Sequence, residues 1–170
     1  MTSEPGLGNP QALNDLLLYR TALWLSTAST MVIRLCEGRF GITRREWRLI
    51  AALAEEGPMQ PSQLAVRVQL DRARTSRAIT SLAAKKMLER QVHSGDRRHA
   101  RVTLTPQGQA LHAALFPLIR SINQNLLAPL SAAEVEQLDS ILRRLQTQAD
   151  ALAQAADLPK ANRRRGRSLE

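Results

Sequence analysis

Apolar residues recur along most of this chain at spacings of three and four, and the residues between them mark where each element starts and stops. From about Gln11 to Glu37, Leu13, Leu17, Trp24, Ala28, Met31 and Leu35 follow that rhythm and predict a long helix. Leu16, Leu18, Leu23, Val32 and Ile33 make the same segment apolar on more than one face, as in a helix buried on two sides at an interface between chains. Thr43 and Glu46 form the capping-box pattern ahead of Trp47, Ile50, Ala51 and Leu53, and Gly57-Pro58 ends that second helix. A short helix begins near Pro61, whose fixed φ suits a first helical position, and carries Leu64, Ala65 and Val68.

After Gln69-Leu70, Asp71 is a good N-cap for a helix running to about Lys85. Ile79 and Leu82 lie on its inner side, and Arg72, Arg74, Ser76, Arg77, Thr80 and Ser81 on its other faces. Two short helices joined by a tight turn, the second polar and basic outward, predict a helix-turn-helix. Met87 to His93 reads as a strand with Leu88 and Val92 as its apolar members. Ser94-Gly95-Asp96 supplies turn residues, and Val102 and Leu104 alternate on a return strand, so a β-hairpin wing follows. A further helix is expected from Pro106 to about Leu127 through Leu111, Leu115, Leu118 and Ile122, with Pro129 as its breaker. Ser131 and Glu134 repeat the capping box. Val135, Leu138, Leu142, Leu145, Ala149 and Leu152 then form a heptad seam suited to a partner chain.

The expected fold is therefore mainly α with a small β-hairpin wing: a winged helix-turn-helix lobe plus N- and C-terminal helical dimerisation regions. The division is a flexible N-terminus at 1–10, a dimerisation helix at 11–38, the winged lobe at 40–105, C-terminal dimerisation helices at 106–157 and a basic disordered tail at 158–170.

Composition changes this picture little. Aromatics are 3% of the 170 residues, which leaves Leu, Ile, Val and Ala to build a helical core. Charge changes it more. Residues 60–104 hold ten Lys/Arg (Arg67, Arg72, Arg74, Arg77, Lys85, Lys86, Arg90, Arg97, Arg98, Arg101) against three acids (Asp71, Glu89, Asp96), a net +7 within a chain of net +9. The tail 159–170 adds five bases and one acid, net +4. A basic excess confined to one segment is the footprint of a polyanion-binding surface, whereas a merely solvated face mixes its signs.

Other chemistry is poorly represented. A single cysteine, Cys36, rules out an intrachain disulfide. His93, His99 and His112 lack metal-ligand spacing, and no cofactor is expected. Nucleophile elbow, phosphate loop and dinucleotide fingerprint are absent from the sequence, so an enzyme is not expected. The opening MTSEPGLGNP is unlike a secretory leader, and no stretch approaches the ~20 apolar residues of a membrane span, so the expected compartment is the cytoplasm and no membrane partner is expected.

The run Leu70 to Gly108 reads LDRARTSRAITSLAAKKMLERQVHSGDRRHARVTLTPQG. Its Arg77, Leu88-Glu89-Arg90, Asp96-Arg97-Arg98 and Leu104-Thr105-Pro106-Gln107-Gly108 resemble the MarR family of bacterial regulators, and the resemblance extends from about Phe40 to Leu152. One departure is Lys86, where the family usually has Gly. A left-handed residue is wanted there, so Lys86 must adopt it at some cost or the helix ends differently.

The resemblance implies a homodimer that binds double-stranded DNA at a pseudo-palindrome with half-sites about 10 bp apart. Arg72, Arg74 and Ser76 would face bases, Arg77 and Thr80 bases or phosphates, and Ser62 a phosphate. In the wing, Arg98 would enter the minor groove with Asp96 as its orienting partner, while Arg97, His99 and Arg101 track the backbone. The family implies a repressor released by a small effector, often an aromatic acid. Tyr19, Arg20, Trp24, Phe40 and Trp47 are the candidate effector residues; core and interface packing is the alternative reading for each. Three rival readings stay open: an effector-independent architectural DNA binder, a redox-sensing regulator acting through Cys36, and a winged domain that docks on protein.

Overall fold

The computed structural model describes residues 4–91 and 100–157. The chain is mainly helical with one two-stranded antiparallel hairpin. Its elements in order are a 3₁₀ turn Leu13–Asp15, α1 (Leu17–Arg39), α2 (Arg44–Glu56), α3 (Pro61–Arg67), α4 (Arg72–Ala84), β1 (Leu88–Gln91), β2 (Arg101–Leu104), α5 (Pro106–Leu127) and α6 (Ala132–Ala155). Residues 1–126 and 127–170 form two compact units.

In the first unit the winged lobe is built on α2. Thr43 Oγ1 accepts from the Glu46 amide at 3.2 Å, and the Glu46 carboxylate accepts from the Thr43 amide at 2.6 Å, so the capping box is formed. Gly57 closes α2 with φ +78°, a value that disfavours any residue with a Cβ. Trp47, Leu49, Ile50, Ala52 and Leu53 bury one face of α2. They pack with Leu64 and Val68 of the α3 region, Ile79 and Leu82 of α4, and Leu88, Val102 and Leu104 of the hairpin. Each fully buried Leu or Ile contributes on the order of 1.5–3 kcal/mol over its exposed state. The same core takes in Cys36, Ile42 and Leu115, which ties α1 and α5 to the lobe.

The turn between α3 and α4 uses Gln69 in the left-handed region at φ +50°, and Asp71 caps α4 by accepting from the Arg74 amide at 2.8 Å. At the other end of α4, Lys86 does adopt the left-handed conformation, at φ +58°. Its amide donates to the Ala83 carbonyl at 2.9 Å, and the Met87 amide donates to Leu82, also at 2.9 Å. These two bonds make a Schellman cap, which satisfies carbonyls that the helix end would leave open and offsets the cost of placing Lys there. Gly108 is needed for a different reason: a Cβ on it would collide with the Met87 carbonyl oxygen, where the start of α5 passes close to the lead-in to β1.

Four features of the structure go beyond the sequence pattern. The first helix is interrupted, because Leu16 is extended (φ −76°, ψ 125°) between the 3₁₀ turn and α1. Residues Gly6 and Asn9, in the segment read as loose, pair through two backbone hydrogen bonds of 3.1 and 3.3 Å. Met59, just after the Gly57-Pro58 stop, exchanges backbone bonds of 3.1 and 2.8 Å with Val102 and adds an isolated bridge on the outer side of β2. Pro117 lies inside α5 without ending it. Both Pro117 and Ala113, whose carbonyl loses its helical donor, are on the exposed side, where water can take that bond. The expected hairpin strand reached His93; residues 92 and 93 lie outside the described residues.

In the second unit, α6 is capped by Ser131 and Glu134 as expected. No residue of α6 is buried, and Leu142, Leu145 and Leu152 of its heptad seam are exposed. Among the described residues no helix is long and apolar enough to cross a membrane.

Candidate nucleic-acid interface

Thr75, Ala78, Ile79 and Leu82 are the buried positions of α4, and their spacing of three and four fixes which residues face outward. Arg72, Arg74, Ser76, Arg77 and Thr80 are all exposed, as expected for a helix that presents a polar surface. The structure divides them between two flanks. Arg72 and Ser76 line a cleft of about 410 Å³ together with Gln60, Pro61, Ser62, Thr75, Ile79, Arg90 and Ala100. Arg74 and Arg77 line a second cleft of about 180 Å³ on the α2 side, with Thr43, Arg45, Glu46, Ala78 and Ser81. Thr80 is exposed one turn further along α4.

The first cleft brings Ser62, Arg72 and Ser76 together from two helices and adds Arg90 from the hairpin, a residue of the Leu88-Glu89-Arg90 motif to which the sequence assigns no contact. The signal for Arg90 was present. Strand residues alternate faces, so Arg90 shares the inward side with Leu88, and the register pairs Leu88 with Leu104 and Arg90 with Val102. Beyond the core edge, that inward side becomes the wall of the cleft. Arg101, paired with Gln91, is exposed on β2. Asp96, Arg97, Arg98 and His99 lie outside the described residues, as does the tail from 158.

The basic count also sorts by geometry. Arg67 turns back to α2, where it pairs with Glu56 and, at 3.1 Å, with Glu55. Lys85 is held by the buried Glu46 at 3.0 Å. Arg74 pairs with Asp71 at 3.1 Å, an exposed contact worth at most about 1 kcal/mol and readily exchanged for a stronger acceptor. Among the described residues, Arg72, Arg77, Arg90 and Arg101 make no ion pair and remain on the outer surface. Glu89 is the one described acid in the hairpin strands, and it sits on the face opposite Arg90.

The candidate effector residues are not gathered in the same way. Trp47 is 7% exposed and belongs to the core, stacked on His112 with centroids 5.4 Å apart and planes 12° from parallel; His112 in turn stacks on Phe116. Trp24 is 61% exposed on α1, where Tyr19 is half-buried and Arg20 exposed. Phe40 closes α1 with the Arg39 guanidinium 5.7 Å over its ring. Around Trp47 the structure adds His112, whose buried Nε2 has no hydrogen-bond partner and which borders a cleft of about 370 Å³ with Leu53, Pro58, Thr103 and Gln109. In the sequence His112 is marked only as a histidine without metal-ligand spacing. Cys36 is fully buried, and burial together with the charge of Glu37 pushes its thiol pKa up. That opposes formation of the thiolate a redox sensor requires.

Residues 40–99 match the sequence profile of the MarR family. Over 104 residues the chain is 28% identical to the HTH-type transcriptional repressor NicR of Pseudomonas putida, an alignment covering 61% of this chain and 66% of the repressor, just under two thirds of its length. The fold is similar to that of a MarR/EmrR family transcriptional regulator from Acinetobacter sp. ADP1, at 25% identity and a TM-score of 0.69 over 80% of this chain and 99% of that one. It is also similar to BpsR of Bordetella bronchiseptica, whose DNA binding is regulated by 6-hydroxynicotinic acid, at 25% identity and a TM-score of 0.64 over 75% of this chain and 98% of that one. Fold, helix-turn-helix geometry and sequence agree in making the chain similar to MarR-family regulators, with the sequence match confined to residues 40–99.

Proposed function

We propose that the protein is a sequence-specific regulator of transcription that binds double-stranded DNA as a homodimer and acts as a repressor. The observation that carries this reading is the outward face of α4. Arg72, Ser76, Arg77 and Thr80 are exposed on a helix whose opposite side is locked into the core, and Arg90 and Arg101 extend the same cationic surface onto the hairpin. In this reading α4 lies in the major groove. Arg72 and Ser76 meet base edges, Ser62 and Arg90 hold the flanking phosphates, and Arg74 exchanges Asp71 for DNA. Arg98, oriented by Asp96, serves the minor groove, with Arg97 and Arg101 along the backbone. The exposed apolar residues of α1 (Leu17, Leu18, Leu23, Trp24) and of α6 (Leu142, Leu145, Leu152) support a two-fold dimer, which would set two copies of α4 about 10 bp apart on a pseudo-palindrome.

A small aromatic acid is the effector class we favour, with release from DNA as its consequence. BpsR responds to such an acid. Among the described residues, His112 Nε2, beside Trp47, is the buried side-chain polar atom with no hydrogen-bond partner, so we place His112 with Trp47 ahead of Tyr19, Arg20, Trp24 and Phe40 in that role. An effector acts only through different affinity for the DNA-competent and incompetent states. The burial of Cys36 weighs against the redox alternative.

Fluorescence anisotropy on DNA from the region upstream of the chain's own gene tests the reading. Wild type should bind a discrete site tightly, with affinity falling steeply as salt rises, because each neutralised phosphate releases cations. Arg72→Ala and Arg98→Ala should each weaken it. Uniform binding to any duplex would favour the architectural reading. No binding, there or across a genomic library, would favour docking on protein.

A further inference from the structure

Behind the exposed face of α4, one polar contact ties the end of the recognition helix to the lobe. Glu46 is 3% exposed, although it sits in the first turn of α2 and serves as the capping-box acceptor there. Its carboxylate also receives Lys85 Nζ on both oxygens, at 3.1 and 3.0 Å, and Lys85 donates to the Gly41 carbonyl at 2.9 Å. All three ammonium protons are therefore used. Lys85 is the C-cap of α4, at the joint between that helix and the Schellman turn leading to β1. Burial on its own would push the Glu46 carboxyl up, but hydrogen bonds from Ser81, the Thr43 amide and Lys85, with the Lys85 charge, hold it below its ordinary value.

The opposite end of the helix-turn-helix is tied to the same helix. Arg48, two residues beyond Glu46 and on another side of α2, donates to the Val68 carbonyl at the end of α3. Thus α2 grips the turn before α4 with one side chain and the far end of α4 with another. A helix of 13 residues is a rod about 20 Å long, and its direction is fixed by where its two ends are held.

We propose that Lys85 is a positioning residue for DNA reading: its ion pair with buried Glu46 fixes the pitch at which α4 enters the groove, although Lys85 makes no contact with DNA. The inference rests on the DNA-binding function proposed above. Removing the pair lets the C-terminal end of α4 swing, which misplaces Arg77 and Thr80 relative to the bases. Phosphate contacts on flexible arginines tolerate such a change far better than base contacts do.

The test compares affinity for the operator with affinity for a scrambled duplex of equal length. Lys85→Met alone would leave a buried carboxylate unpaired and threaten folding, so the informative variant is the double substitution Lys85→Met with Glu46→Gln. It removes one charge of each sign, and the Gln amide oxygen can still accept from the Thr43 amide. Net charge, salt dependence and scrambled-duplex affinity should match wild type, while the operator-to-scrambled ratio falls about tenfold, the scale of one lost base contact. Lys85→Arg, which keeps a charged donor for Glu46, should restore most of the ratio. A merely structural role would lower the active fraction equally on both duplexes and leave the ratio unchanged, and that result would overturn the proposal. A wild-type protein with no preferred sequence would instead show that the DNA-reading function itself had failed, and the proposal with it.

Discussion

Helices α4 and α6 carry the same kind of periodic pattern, yet they stand in opposite conditions. In α4 the apolar stripe is fully covered, with Ile79 at 1% and Leu82 at 0% exposure, and what remains on the surface is cationic and hydroxylic. In α6 the stripe itself is on the surface: Leu142 is 52% exposed, Leu145 41% and Leu152 60%. Spacing of three and four defines a face but does not say what covers it. In α4 the lobe supplies the cover, which frees the polar side to act. In α6 nothing among the described residues of its own unit does, and it is the proposed homodimer that would supply the cover.

This contrast can be broken at several points. The largest effect is expected where α4 is seated. Leu82→Ala should cost about 2–5 kcal/mol by thermal or chemical denaturation, because it opens a cavity in a core with little room to relax. If it costs under about 1 kcal/mol, α4 is not anchored as described. Paired substitutions Leu142→Asp and Leu145→Asp should convert a dimer to a monomer in analytical ultracentrifugation while leaving the melting of the lobe close to wild type. A dimer that survives both would place the interface elsewhere. Arg72→Ala should leave stability within about 0.5 kcal/mol, as at an exposed position, and cost about 1–3 kcal/mol in operator affinity.

A smaller effect sharpens the role of Glu46 through pH. Its carboxyl is held below the ordinary value of 4.5, so its contribution to stability is present above that value and is lost as pH falls through the folded one. Wild type should therefore exceed Glu46→Gln in melting temperature at neutral pH. The difference should shrink below about pH 4.5. A constant gap across that range would mean that the ionised form is not what Lys85 and the α2 cap select.

Much of the lobe was legible because its signals are local. The capping boxes at Thr43–Glu46 and Ser131–Glu134, Asp71 ahead of α4, and the need for a left-handed residue at position 86 all lie within a few residues of the structure they set. The outward face of α4 followed from the positions of Ile79 and Leu82 alone. What was missed involves pairings remote in sequence. Met59 meets Val102 across 43 positions, and Lys85 meets Glu46 across 39. No periodicity reports such contacts. Arg90 lies between these cases, because strand alternation places it beside Leu88, but only the fold shows that the inward side opens into the cleft of Ser62 and Arg72. The effector residues were chosen from aromatic content, and the structure gives one of them, Trp47, a packing role beside a histidine that composition did not mark.

Whether the exposed face of α4 reads DNA sequence is tested most directly by selection from a random duplex library. A pseudo-palindrome with half-sites about 10 bp apart should be enriched, and preference at one symmetry-related pair of positions should be lost when Arg72 is replaced by Ala. A library that emerges without an enriched sequence, or an Arg72→Ala protein that selects the same sequence with the same stringency as wild type, would contradict that role for α4.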